Sequence, residues 1–197
     1  MKAKRKLLIL KMDLLDQMQE IDTIKEVIAQ TAAGLVAVSV VDCKKPEDII
    51  TAVTAAKPDW VHIVGRSDDQ KLIFSGGSGT EPSCDRLSLV KSSREAAPAL
   101  TLLTLNSKLD NRDLSNMGQL QAMIGMENGY NPLASRLFMP RLYGNICQGM
   151  PLALAAKAAI DDMQAEVIQH GGMPSMCFSH SIDPESFTFL PREAAIN

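Results

Sequence analysis

Two apolar runs of this chain each end in a cation. Val61-His62-Ile63-Val64-Gly65 leads into Arg66-Ser67, and Leu102-Leu103-Thr104-Leu105-Asn106 leads into Ser107-Lys108. If the runs are neighbouring strands of an α/β sheet, their carboxyl ends meet at one crevice, where side chains from both can cooperate. Arg66 and Lys108 then bring two positive charges to that crevice, with Asn106 beside them, and such a pocket favours a carboxylate or phosphate. The competing outcome is an ion pair of Arg66 with Asp68, Asp69 or Asp110, which closes the crevice.

Nucleophilic chemistry has weaker support. Ser107 precedes Lys108, but adjacent strand residues point to opposite faces, which disfavours a Ser-Lys dyad. Cys84 follows the first run and is one candidate thiol, with His62 as a distant base; Cys147 is another. His62 itself lies inside a strand, where a hydrogen-bonded core histidine is commoner than a base or ligand. His170 closes a helix, where it complements the dipole. Cys177 and His180 lack the second ligand pair that a structural zinc requires, so no metal is expected. Gly76-Gly77-Ser78-Gly79 lacks the spacing of a dinucleotide loop, and no Walker lysine, GxSxG or HExxH motif occurs. No cofactor is implied.

These residues must be held by a core, and 197 residues with 46% hydrophobic content suffice for one compact domain, expected over 1–197. The net charge of −3 offers no general attraction to nucleic acid or an anionic membrane, and the cluster Lys2, Lys4, Arg5 and Lys6 reads as a solvated flank. Four cysteines without CxxC spacing fit a reducing cytoplasm. The apolar run at 7–10 is too short for a signal h-region or a bilayer span.

Short apolar runs alternate with longer amphipathic ones, the pattern of βαβ units and a mainly parallel, doubly wound sheet. Strands are expected at 7–10, 35–41, 60–64, 99–105 and 123–126. Asp13 is placed to cap a helix on which Leu14, Met18, Ile21, Ile24, Val27 and Ile28 recur at intervals of three or four. Pro46 opens a second helix that stops before Lys57-Pro58. Further helices are expected over 85–96, from 131 to about 148 with Gly149 as the C′ residue, and from 151 to about 169. The polar stretch 66–82 reads as a loop insertion with a short strand or hairpin arm at 71–74. The tail 171–197 is expected to add an edge strand at 187–190.

The succession Lys57-Pro58-Asp59-Trp60-Val61-His62-Ile63-Val64-Gly65, then Leu103-Thr104-Leu105-Asn106, then Ile124-Gly125-Met126, and finally Leu142-Tyr143-Gly144-Asn145-Ile146-Cys147-Gln148-Gly149 resembles the CHAT domain, a caspase- and separase-related module of the clan CD cysteine peptidases. The resemblance spans roughly residues 4 to 163. It implies a caspase-like α/β fold, with a catalytic histidine after the third strand and a catalytic cysteine after the fourth. Matched residue by residue, the histidine position falls on Arg66 and the cysteine position on Lys108, while His62 matches a non-catalytic histidine. A guanidinium cannot take a proton from a thiol, and an ammonium is no nucleophile unless strongly desolvated.

The resemblance therefore implies a pseudo-peptidase that acts as a protein-binding or regulatory module, in the manner of CHAT-like domains in bacterial signalling or defence systems. A protein partner follows: a homologous caspase-like chain or a second copy, with the segment 187–190 as a possible contact. An active cysteine peptidase with a displaced nucleophile and an anion or nucleotide sensor are the alternatives.

Overall fold

The computed structural model describes residues 4–12, 18–68, 70–74, 81–105, 107–110, 113, 115–126, 132–167 and 173–190. The elements run β1 (Arg5–Lys11), α1 (Met18–Thr31), β2 (Val36–Asp42), α2 (Pro46–Ala56), β3 (Trp60–Val64), β4 (Arg66–Asp68), β5 (Lys71–Ile73), β6 (Ser83–Asp85), α3 (Arg86–Ala96), β7 (Leu102–Leu105), β8 (Ala122–Met126), α4 (Pro132–Cys147), α5 (Leu152–Val167) and β9 (Pro174–Phe178).

Six strands form one sheet in the order β2-β1-β3-β7-β8-β9. All neighbours are parallel except β9, which runs antiparallel to β8. Helices cover both faces, so this is a doubly wound, mostly parallel α/β fold. β3, β7 and β8 are buried at every residue, which explains their unbroken apolar sequences. Residues that alternate along the strands serve two cores. Leu7, Ile9, Trp60 and Val64 pack with α1, α4 and α5 on one face. Leu8, Leu10, Val61 and Ile63 pack with α2 and α3 on the other.

Local chemistry sets the element ends. Pro46 sits in the first turn of α2, and Lys57 terminates it with a left-handed φ of 46°. The Asp85 carboxylate caps α3 by accepting from the Ser88 N–H at 2.8 Å. β7 begins at Leu102, later than the expected 99, because the Leu100 N–H turns back to the Ala97 carbonyl. The expected cap Asp13 lies outside the described residues, as does His170.

The structure extends one expectation and corrects another. The stretch after β3 is a small antiparallel sheet of order β4-β5-β6. The edge strand of the tail is β9, whereas 187–190 is not a strand. Phe189 and Leu190 are instead buried, and Phe189 meets Trp60 edge-on with ring centroids 5.6 Å apart. Alternating aromatic residues suit a strand, yet here they plug the end of a core.

Candidate crevice at the ends of strands three and seven

β3 and β7 are adjacent, with Ile63 paired to Leu105, so Arg66 and Lys108 each follow a paired residue by the same three positions. The two cations thus belong to neighbouring strand ends. Beyond that point the chains diverge. Gly65 carries β3 past Met12, whose side chain occupies the space that a Cβ there would need. Arg66 then enters β4, and its Nη2 donates to Glu81 Oε1 at 2.5 Å. Glu81 comes from the far end of the insertion, so this ion pair pins the insertion across its own base. Asp110, one of the expected partners of Arg66, instead lies 3.5 Å from Arg86 Nη2. Asp69 and Asn106 lie outside the described residues.

Lys108 is exposed, while its neighbour Ser107 is fully buried. Their opposite orientations separate the hydroxyl from the amine. Ser107 Oγ accepts from Arg86 Nη1 at 3.1 Å, and the Lys108 carbonyl accepts from the same nitrogen. No Ser-Lys dyad is assembled.

Arg86 was not singled out by sequence reasoning, yet it organises the segment after β7. It is only 1% exposed at the start of α3. Its Nε and Nη2 donate to the two carboxylate oxygens of Asp113 at 3.0 and 2.8 Å, a bidentate pair. Asp113 also accepts from the Asp110 N–H at 2.5 Å. A cation in the first turn of a helix is only mildly disfavoured by the helix dipole; it is the burial of Arg86, which the sequence does not reveal, that requires the paired carboxylate.

His62 faces away from this region. It is fully buried on the α1/α4 face, with Nε2 3.0 Å from Glu20 Oε1 and Nδ1 2.6 Å from Thr104 Oγ1. Ser135 Oγ donates to the same Glu20 oxygen at 2.8 Å, and Thr104 Oγ1 lies 2.8 Å from the Tyr143 hydroxyl. The Tyr143 hydroxyl is held well above its ordinary value, first by burial. Acid, imidazole and hydroxyl are in line as in a catalytic triad, but all are sealed from substrate.

Of the candidate thiols, Cys147 lies in the same core as His62, beside Tyr143, whose ring meets His62 edge-on with centroids 5.6 Å apart, but no hydrogen bond links thiol and imidazole. Cys84 packs with the α2/α3 core, so the sheet separates it from His62. Burial, reinforced by Asp85 and Glu47, pushes the Cys84 thiol up to about 11. Burial pushes Cys43 and Cys147 up to about 12 and also raises Cys177. All four cysteines are free. Among the described residues no cluster of three or more His, Cys, Asp or Glu side chains is arranged to hold a metal.

No protein-family model matches the chain, and no curated protein matches it in sequence. No helix among the described residues is long and apolar enough to cross a membrane.

Proposed function

We propose that this chain is a catalytically inactive, caspase-like module of CHAT type that binds or regulates a protein partner in the cytoplasm, in a bacterial signalling or defence system. The observation that carries this reading is at the crevice itself. The strand ends that would bear a base and a nucleophile bear Arg66, held in an ion pair with Glu81, and Lys108, whose backbone is tied down by Arg86. The only described histidine at the sheet is buried between Glu20 and Thr104. A thiol raised by burial is a poor nucleophile at neutral pH, which weighs against the displaced-nucleophile alternative. The free thiols suit a reducing compartment.

A peptidyl electrophile directed at thiols provides the test. At neutral pH it is expected to label no cysteine faster than it labels a free model thiol. Rapid, stoichiometric labelling of one cysteine, abolished by substituting a histidine, would overturn the inactive reading.

A further inference from the structure

The outer edge of β2 is open, since among the described residues β2 pairs only with β1. It is seven residues long, Val36-Ala37-Val38-Ser39-Val40-Val41-Asp42. Proteins usually blunt such an edge with proline, lysine or a bulge, and this strand has no proline or lysine and keeps an unbroken register with β1. The backbone directions are fixed at both ends. The Leu35 carbonyl accepts from the Arg5 N–H, and the Cys43 N–H donates to the Lys11 carbonyl. Residues 35 and 43 therefore turn toward β1, and alternation turns 37, 39 and 41 the same way. Val36, Val38, Val40 and Asp42 point their N–H and C=O groups outward.

We propose that two copies of this chain form a symmetric dimer by antiparallel pairing of β2 with β2, about a two-fold axis at Ser39. In that register Val38 exchanges hydrogen bonds with Val40 of the second copy, and Val36 with Asp42, so every outward-facing residue finds a partner. Ser39 meets Ser39 of the second copy as a non-hydrogen-bonded pair, where a small side chain suits the close approach.

Side chains and charges fit the same arrangement. Val40 is 39% exposed, one of few large apolar side chains among the described residues left so open. The pairing lays Val38 of the second copy directly beside it, a favourable β-branched pair. Asp42 pairs with Lys11 at 2.7 Å, and Val36 sits opposite Arg5 in the sheet register. Across the axis the row reads Lys11, Asp42, then Val36 and Arg5 of the second copy, so no like charges meet, with Arg5 itself engaged by Asp59 at 2.7 Å. On the opposite face a groove of about 500 Å³ runs between β2 and α2, lined by Ser39, Val41, Ala52 and Ala55. Asp48 borders one end and Ala56 the other, where Lys6 Nζ donates to the Ala56 carbonyl. A two-fold axis sets the acidic end of one groove against the basic end of the other. Charge complementarity of this kind selects a second copy over an arbitrary extended peptide.

The proposal stands on the β2 edge and the groups flanking it and is independent of whether the crevice is inert. Sedimentation velocity of the full chain at micromolar concentration is expected to show a dimer. Ser39→Cys is expected to cross-link that dimer under mild oxidation, because non-hydrogen-bonded pairs bring Cα atoms to about 4.5 Å, within disulfide range, whereas the unsubstituted chain does not cross-link. Val40→Lys is expected to weaken association by about tenfold or more with its circular-dichroism melting curve retained, since the position is open in the monomer. A strict monomer, or a dimer that neither Val40→Lys weakens nor Ser39→Cys cross-links, would overturn it.

Discussion

At the scale of single residues, burial decides what each ionisable group can do. Arg86 and Asp113 are sealed together, so removing the cation strands a carboxylate in the core. Arg86→Met is expected to destabilise the fold by about 3–5 kcal/mol, whereas the double change Arg86→Met with Asp113→Leu should recover much of that loss, as measured by denaturant unfolding. The thiols follow the same logic with a defined sign. Cys43 and Cys147 stay protonated in the folded chain up to about 12, from an ordinary value of 9.0. Their contribution to stability is full below about pH 9 and falls as pH rises from there toward 12, because the unfolded chain releases those protons first. Alkylation should show the same window: Cys43 and Cys147 resist iodoacetamide at pH 9 in the folded chain and react in the unfolded one. Equal rates in the two states at pH 9 would contradict the burial of these thiols. The sequence showed where cysteines and histidines stand but not which face of the sheet each occupies, and that parity is what separates Cys84 from His62.

At the scale of elements, two close approaches shape the crevice. β8 passes directly behind the segment that follows β7, with Gly125 against the Ser107 carbonyl and 2.8 Å from Leu109 Cγ to where its Cβ would stand. Gly125→Ala is expected to push these apart, costing about 1–3 kcal/mol and loosening the Arg86–Asp113 anchor. Hydrogen exchange of the 107–110 amides would register it, and unchanged protection there would refute the link. Strand identity was legible because β1, β2, β3, β7 and β8 are short apolar runs bounded by polar or helical segments. Their exact ends were not, since turns such as Ala97 to Leu100 are set by backbone hydrogen bonds that leave no apolar signature. The site was legible only in part. Arg66 and Lys108 stood out as cations at strand ends, while Glu81 and Arg86 became visible once the insertion and α3 were placed around them.

At the scale of the whole molecule, the tail closes one of the two cores. After β9 the chain folds back over the start of α5, where the Leu152 and Ala153 N–H groups donate to the carbonyls of Phe187 and Pro184. These are orphan donors of a helix N-terminus, satisfied by a segment distant in sequence. Phe187 and Phe189 stack edge-on at 4.9 Å, and Phe189 continues onto Trp60, the sole tryptophan, which is fully buried on β3. The tail therefore couples the first residue of a central strand to the end of the described chain. Two outcomes follow from Phe189→Ala. The loss of a buried ring should cost about 3–5 kcal/mol in denaturant unfolding. Trp60 should also gain solvent contact in the folded state, moving its emission to the red before any unfolding occurs. A variant that loses stability with unchanged native emission would show that the ring contributes only to the α5 side of the core, and would sink the proposed coupling between tail and sheet.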